Sequence, residues 1–327
     1  MARRDRFRGR RCWALKRDGA AGAAGQPCGE RGGSALDRPA RRAITKRRAP
    51  PATAAAALIW LVIVSRRREK GKKGNEARQG ARILVTGFND WRNLQGPEDA
   101  WRSRENPSSR LLLGGECETP PIHKDGPLVR YLQDTSDIAR EADWQFSFIT
   151  LPTVWKAAWA IDHCFYDVVV NIGLGVYDNT NTILVEDGAV NLRKAIPDAR
   201  GNLPASVALA KGSPDILEAT PSQKRAATTV DNTVVGGFNV QVIRARSANS
   251  YICNETHWRG LEAVRLADKL KASYFIHVPH PEVEGQYGNL ASAVGQIIER
   301  LVGEVLLPPG STAIRGKSKS NVGVGRH

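Results

Sequence analysis

The chain has 327 residues, of which 41% are hydrophobic and 25% are charged. These values are ordinary for a folded globular protein and exclude a wholly disordered, a collagen-like and a disulfide-scaffold protein. The net charge of +15 is unevenly distributed, because residues 1–80 hold 22 Lys and Arg against 6 Asp and Glu, whereas the remainder holds 26 against 27. The basic balance is therefore no sign of a nucleic-acid groove in the neutral body of the chain.

Residues 1–80 predict a basic, disordered arm, because the first 50 residues are mainly Arg, Ala and Gly without a sustained apolar period. A short apolar segment follows at residues 52–64. As a helix it would be about 20 Å long, less than the roughly 30 Å core of a bilayer. Residues 308–327 are rich in Pro, Gly, Ser and Lys and predict a flexible C-terminal tail.

The cysteines lie at positions 12, 28, 117, 164 and 253 and form no C-x-x-C pair. Their odd number and scattered spacing argue against a disulfide framework and against a structural zinc site. A reducing compartment fits this pattern best.

Residues 81–307 alternate between β-rich runs and helical patterns. The predicted strands are Arg82–Gly87, Phe146–Leu151, Val168–Ile172, Val240–Arg244 and Tyr274–Val278, and the predicted helices cover Thr153–Cys164, 255–270 and 289–306. Such alternation predicts an α/β fold, a single three-layer αβα domain with a mostly parallel central sheet. We expect its functional site at the carboxyl ends of the strands.

Two residues at these strand ends offer the chemistry of acyl transfer. Cys253 comes just before a helical pattern, where main-chain N–H groups would lower the pKa of the thiol and receive a negative oxygen. His277 lies at the end of the last predicted strand and would serve as its base. The residues alone leave other interpretations open, since such a cysteine is more often a small buried hydrophobe and such a histidine a structural one.

Two further signals are weak. His277 and His280 could ligate a metal ion, but no other His or Cys motif joins them. The Thr86-Gly87 turn suggests a nucleotide site, but it lacks both G-x-G-x-x-G and a P-loop.

Six segments occur in the order found in one known family. They are ILVTGFNDW at 83–91, NPS at 106–108, VVNIGLG at 169–175, the spaced E…N…IPD…GN…P between 186 and 204, SYICN at 250–254 and FIHVP at 275–279. Together, over roughly residues 82–305, they resemble pyroglutamyl peptidase I, also called pyrrolidone-carboxylate peptidase, a family of cysteine peptidases.

The resemblance implies a catalytic triad of Glu186, Cys253 and His277, in which the Cys253 thiolate forms a thioacyl-enzyme with an N-terminal pyroglutamyl residue. It also implies that no metal or organic cofactor is needed, and that the partner is a peptide with an N-terminal pyroglutamate. From the resemblance and the free thiols we expect a cytoplasmic enzyme that binds neither nucleic acid nor membrane. Export or membrane association through residues 52–64 is the alternative, and a homo-oligomer is left open.

The resemblance further implies a small apolar pocket for the lactam ring. Phe88 and Trp91 occupy the positions of its two aromatic side chains, Asn106 would help shape it, and Gly173 and Leu174 complete the expected substrate-binding set. Three departures concern this pocket: Asp90 replaces a Pro, the stretch from Trp91 to Asn106 is longer than usual, and Ala195 replaces an Arg.

Two alternatives to a pyroglutamyl peptidase follow from these departures. One is a related amidase whose altered pocket accepts another small acyl group. The other is a non-catalytic protein that keeps the fold and binds blocked peptide N-termini. A third class, a protein that binds nucleic acid or a membrane surface through residues 1–80, would not depend on Cys253.

Overall fold

The computed structural model describes residues 80–89, 106–113, 126–175, 180–246, 250–281, 283 and 285–308. The predicted arm up to residue 79, with its apolar segment 52–64, lies outside the described residues. So do Trp91, the longer stretch at 92–105 and the tail from residue 309. No helix in the described part of the chain is long and apolar enough to cross a membrane.

Within these ranges the chain forms nine strands. They are β1 (Arg82–Phe88), β2 (Gln145–Leu151), β3 (Val168–Leu174), β4 (Thr182–Glu186), β5 (Gly188–Val190), β6 (Ile216–Glu218), β7 (Thr233–Val235), β8 (Phe238–Ile243) and β9 (Ala272–Val278). Seven of them form one sheet in the order β2-β1-β3-β9-β4-β8-β7, and β5 pairs with β6 separately.

The helices of the same ranges are α1 (Pro107–Leu113), α2 (Pro127–Arg130), α3 (Asp137–Glu141), α4 (Pro221–Thr228), α5 (Ile252–Leu266) and α6 (Gln286–Leu306). A π-helical turn at Tyr131–Thr135 and a 3-10 turn at Ala157–Ala160 complete the helical elements.

The large sheet is mostly parallel, as predicted. Strands β1, β2, β3 and β9 run in one direction with continuous parallel pairing, and β4 pairs in parallel with β8. The contacts of β4 with β9 and of β7 with β8 are antiparallel. Strand β4, which the sequence analysis did not single out, therefore enters the middle of the sheet in the opposite direction to β9.

Both faces of the sheet are covered, which explains the continuously apolar strands. Because successive side chains of a strand point to opposite faces, Ile83 and Val85 pack into one core with α1, α2, α4 and α6, while Leu84 and Phe88 pack into another. The second core includes Phe275 of β9 and Ile252 of α5. The chain thus has the predicted three-layer αβα architecture.

The helix predicted over Thr153–Cys164 is wrong apart from the single 3-10 turn at Ala157–Ala160. Lys156 adopts a left-handed conformation with φ 67°, which interrupts a right-handed helix. Side-chain carboxylates also take the local N–H groups, since Asp198 accepts from the Trp155 N–H and Glu255 accepts from the Lys156 N–H. The other two predicted helices exist with shifted bounds, as α5 and α6.

Candidate active site

Glu186 and His277 form a buried pair on the face of the sheet that α5 covers. The Nε2 atom of His277 lies 2.9 Å from Oε1 of Glu186. Leu184 of β4 is directly opposite His277 of β9, so Glu186 lies two positions further along on the same face. The two strands pair only near their carboxyl ends, at Leu184 with His277 and Val185 with Ile276, so Glu186 lies close to His277.

The first turn of α5 brings Cys253 over the carboxyl end of β3. Tyr251 is the N-cap, and the first intrahelical hydrogen bond runs from the Glu255 N–H to the Tyr251 carbonyl. The N–H groups of residues 252–254 therefore precede that bond and lack intrahelical partners. A Cβ atom placed on Gly173 would lie 3.1 Å from Sγ of Cys253. Gly173 in turn pairs with His277 in the parallel register of β3 and β9.

The contacts of His277 assign different roles to its two ring nitrogens. With Nε2–H donating to Glu186, the lone pair of the neutral ring lies on Nδ1. Nδ1 is 3.4 Å from the carbonyl oxygen of Leu174, which follows Gly173 on β3. The carbonyl oxygen of Leu174 can accept a hydrogen bond from Nδ1 when that nitrogen carries a proton.

The expectation of a lowered thiol pKa at Cys253 is wrong in this structure. Burial, and after it the negative charge of Glu186, raise the pKa of the Cys253 thiol to about 12. The main-chain N–H of Cys253 acts in the predicted direction but is the weakest of these influences. The thiol is therefore protonated at neutral pH and must transfer its proton before it can attack.

The ring of Phe275 packs against several residues of this site. Its ring is tilted against the rings of His277 and Phe88, with centroids 4.8 Å and 6.3 Å away. A Cβ atom on Gly173 would be only 2.8 Å from the Phe275 ring, so this close approach requires glycine. Gly173 and Leu174 are thus placed beside Cys253 and His277, as the sequence analysis expected of neighbouring strand ends.

Phe88 and Asn106 are joined by a hydrogen-bonded connection. The Phe88 N–H donates to Oγ of Ser108, and this hydroxyl donates to Oδ1 of Asn106. Asn106 also donates through Nδ2 to the Asn89 carbonyl. Phe88 is buried in the core beside Phe275. Asn106 therefore fixes the end of β1, which is consistent with shaping a pocket, and Ser108 is a member of this group that sequence reasoning missed.

Further residues that sequence reasoning missed follow Cys253 on α5. Asn254 binds the segment after Glu186, accepting from the Val190 N–H and donating to the carbonyls of Val190 and Leu192. Glu255 forms a buried ion pair with Arg193. The signal was present in the Asn-Glu pair after the cysteine, which the sequence analysis used only to locate a helix start.

His257 lies one helical turn after Cys253, fully buried against the Phe275 ring. Neither of its ring nitrogens makes a hydrogen bond of good geometry, although the main-chain carbonyl of Glu186 lies near the ring. Burial lowers its pKa to about 4, although Glu186 favours the protonated form through both its carboxylate and its main-chain carbonyl. His257 is therefore a neutral imidazole beside the Glu186–His277 pair.

The site thus combines Glu186, Cys253 and His277 with Gly173, Leu174 and Phe88 around one strand end, while Asn106 supports it and Trp91 lies outside the described residues. Among the described residues, no group of three or more His, Cys, Asp or Glu side chains could hold a metal ion. A buried acid–imidazole pair beside a cysteine is an arrangement suited to proton transfer and nucleophilic attack.

No family model matches the chain, and no curated protein matches it. Similar folds occur among solved structures of pyroglutamyl and pyrrolidone carboxyl peptidases. Pyroglutamyl peptidase I of Bacillus amyloliquefaciens is 20% identical with a TM-score of 0.46, over 68% of this chain and 98% of that one. A mutant pyrrolidone carboxyl peptidase of Pyrococcus furiosus is 22% identical with a TM-score of 0.47, over 69% and 100%.

The pyrrolidone carboxyl peptidase of Fervidobacterium islandicum AW-1 is 19% identical with a TM-score of 0.47, over 68% of this chain and 98% of that one. These are likenesses of fold.

Proposed function

We propose that this protein is a cysteine exopeptidase that removes an N-terminal pyroglutamyl residue from peptides through a triad of Glu186, Cys253 and His277. The observation that carries the proposal is the 2.9 Å contact between Nε2 of His277 and Glu186. In this contact Glu186 binds Nε2 of His277 and not Nδ1, and Cys253 lies over Gly173, the residue paired with His277 in the sheet. The sequence motifs add the substrate class.

In the first half-reaction the Cys253 thiol gives its proton to Nδ1 of His277 as Sγ attacks the carbonyl carbon of the pyroglutamyl residue. The carbonyl oxygen becomes negative and accepts hydrogen bonds from main-chain N–H groups in the first turn of α5. The C–N bond then breaks, and the proton on His277 moves to the leaving amine. The product is a thioester between Cys253 and pyroglutamate.

In the second half-reaction water attacks the thioester, with His277 as the base, and the C–S bond breaks. Free pyroglutamate leaves and the thiol is restored. Glu186 remains ionised throughout and stabilises the imidazolium form of His277. Every proton in this sequence is carried by a side chain of the chain itself.

The lactam ring would lie near Phe88, Gly173 and Leu174, with Trp91 and Asn106 as the further expected members of the pocket. A neutral five-membered ring suits an apolar surface of this kind, while nearby main-chain groups bind its amide. The soluble reporter for this substrate class is a pyroglutamyl amide of a fluorescent amine.

The test is hydrolysis of pyroglutamyl-aminomethylcoumarin by the purified full chain in reducing buffer. We expect turnover that Cys253→Ser, His277→Ala and iodoacetamide each reduce at least about 1000-fold, because the triad acts as a unit. Cys164→Ser is the matched control, since Cys164 is the other cysteine of the described residues, and should retain parental turnover. Persistent turnover in Cys253→Ser would contradict the mechanism.

Absence of turnover in a protein that still unfolds cooperatively would contradict the substrate assignment. Binding of free pyroglutamate without hydrolysis would then favour the non-catalytic binder. Hydrolysis of a different small acyl amide, sensitive to Cys253→Ser, would favour the altered amidase.

A further inference from the structure

A buried ion pair lies directly behind the cysteine. Glu255, two residues after Cys253, has its Oε1 atom 2.6 Å from Nη2 of Arg193, and only 1% and 5% of their side chains are exposed. Residues two apart on a helix point to opposite sides, so this pair faces away from the thiol and into the surrounding segments. The ion pair therefore acts on the helix end rather than on the reacting atoms.

The second oxygen of Glu255 binds a strained part of the chain. Its Oε2 atom accepts from the N–H of Lys156 at 2.9 Å, and Lys156 is the residue held at φ 67°. The preceding residue, Trp155, packs edge to face on Tyr251, with ring centroids 5.2 Å apart. Tyr251 is the N-cap of α5. One carboxylate thus joins the segment at 155–156 to the first turn that carries Cys253.

Arg193 extends the connection to a third segment. Its Nη1 atom donates to the Ser206 hydroxyl at 2.9 Å and to the Ala208 carbonyl at 2.8 Å, and its main-chain N–H donates to the Val207 carbonyl at 2.7 Å. These bonds join the residues on either side of the segment 194–205. Arg193 itself follows Glu186 by seven residues, so the ion pair links the chain that carries Glu186 to the helix that carries Cys253.

The ion pair contributes little to stability by its nature. Removing two charges from water costs about as much as their attraction returns, and apolar residues of similar size often replace a buried pair without loss of stability. A role in positioning nearby groups therefore explains the buried ion pair better than a contribution to the free energy of unfolding does. A displacement of reacting groups by about 1 Å can lower a rate about 100-fold.

We propose that Glu255 and Arg193 are positioning residues, which hold the first turn of α5 and hence Cys253 in register with the Glu186–His277 pair. The proposal rests on the function proposed above. It assigns no contact with substrate to either residue.

The test removes both charges together in the double variant Arg193→Met/Glu255→Leu. We expect this variant to unfold cooperatively, because neither charge is left buried alone, and to show at least about a 10-fold lower kcat with KM within about twofold of the parent. The rate constant for alkylation of Cys253 by iodoacetamide should fall as well. Glu262→Gln is the matched control, since Glu262 pairs with Arg259 on the same helix, and should leave all three quantities unchanged.

Parental kcat and parental alkylation in a folded double variant would overturn the proposal. Should the double variant fail to unfold cooperatively, Arg193→Lys decides, because it keeps the charge but cannot reach Glu255, Ser206 and Ala208 together. Lower kcat and slower alkylation in Arg193→Lys would support positioning, and parental values of both would refute it. If the parent hydrolyses no pyroglutamyl amide, the proposed function fails, and the alkylation rates still test the positioning of Cys253.

Discussion

At the scale of single residues, the Cys253 thiol lies between two opposing influences, the N-terminal end of α5 and the carboxylate of Glu186. The N–H of Cys253 favours the thiolate, whereas burial and Glu186 favour the thiol, and the latter two prevail. An enzyme with a preformed thiolate–imidazolium pair would show the reverse. Here ionisation must accompany attack, through transfer to His277.

The alkylation of Cys253 therefore predicts a distinctive pH profile. Because burial raises the thiol pKa to about 12, the rate constant with iodoacetamide should still be rising at pH 9, where a free cysteine levels off near its pKa of about 8.5. The measurement is the alkylation rate from pH 6 to 10, followed at Cys253 by mass spectrometry. A plateau below pH 8 would show that the helix end dominates after all.

Gly173 is the glycine at which one added methyl group should disturb Cys253 directly. In Gly173→Ala the new Cβ would be 2.8 Å from the Phe275 ring and 3.1 Å from Sγ of Cys253. Overpacking of this kind costs about 1–3 kcal/mol of unfolding free energy, and we expect kcat/KM to fall at least about 10-fold as Sγ is displaced.

The control for this substitution is Gly288→Ala. Gly288 lies in the first turn of α6 with open space around a Cβ, so alanine there should leave activity unchanged and raise stability slightly. Urea unfolding and steady-state kinetics on both variants give the comparison. Equal effects of the two substitutions would contradict the close approach at Gly173.

For single residues, the sequence predicts which side chains could react better than it predicts which residues contact one another. Cys253 and His277 could be selected from their places at a helix start and a strand end. The role of Glu186 came only from the family resemblance, because no local pattern shows that β4 lies against β9. The partners Arg193 and Ser108 depend on segments far apart in the chain, and a single sequence carries no signal for such contacts.

At the scale of elements, helix α5 carries a polar group that should reduce its stability. His257 is fully buried and its ring nitrogens make no hydrogen bond of good geometry, with only the main-chain carbonyl of Glu186 near the ring. An unsatisfied buried polar group costs about 1–3 kcal/mol. We expect His257→Leu, which has a similar volume, to raise the free energy of unfolding by about 1 kcal/mol, measured in urea at pH 7.5.

The same substitution should flatten the dependence of stability on pH. The folded state keeps His257 neutral with a pKa of about 4, against an ordinary value of 6.5. Between these two values the unfolded chain binds a proton that the folded chain does not, so stability falls as the pH falls from about 6.5 towards 4. His257→Leu should show a smaller fall, and a slope identical to that of the parent would contradict a neutral buried His257.

His163 provides the comparison outside the site, because burial also lowers its pKa to about 4. His163→Leu should flatten the stability profile in the same direction while leaving the alkylation of Cys253 unchanged. The two histidines have similarly lowered pKa values, but only His257 lies near Cys253. Comparing the two variants therefore separates an effect on stability from an effect on the reactivity of Cys253.

Element prediction succeeded where hydrophobic periodicity was long and failed where tertiary contacts decided the backbone. The stripe at 289–306 identified α6, because Leu290, Val294 and Ile297 recur at helical spacing. The stripe at Thr153–Cys164 looked similar, but carboxylates from distant segments bind its N–H groups at 155 and 156. Hydrophobic periodicity shows which residues would share one face of a helix. It does not show whether side chains from other segments will bind the main-chain N–H groups that the helix needs.

At the scale of the whole molecule, the sequence predicted three layers and a mostly parallel sheet from the alternation of elements. It did not predict the reversal at β4, since strand direction depends on the connections through 176–181 and 187–237 rather than on composition. That reversal brings Glu186 to His277. The fold was thus predictable as a class, whereas the arrangement that gives the site its acid was not.

The proposed chemistry should be independent of the N-terminal quarter of the chain. Glu186, Cys253 and His277 lie between residues 186 and 277, and the contacts of His277 described above are with Glu186 and Leu174. We expect removal of residues 1–79 to leave kcat/KM for the pyroglutamyl amide within about twofold and to alter solubility or targeting instead. A truncated protein that unfolds cooperatively but is inactive would contradict this division of roles.

The protonated thiol has a consequence for oxidative damage. Peroxide attacks thiolates, and the ladder from sulfenic to sulfonic acid begins with that anion. Since Cys253 is held as a thiol until a substrate draws its proton to His277, the resting protein presents little of the form that oxidants consume. During turnover the same sulfur is bonded to the acyl group as a thioester, so peroxide should oxidise Cys253 more slowly than a free cysteine both at rest and during turnover.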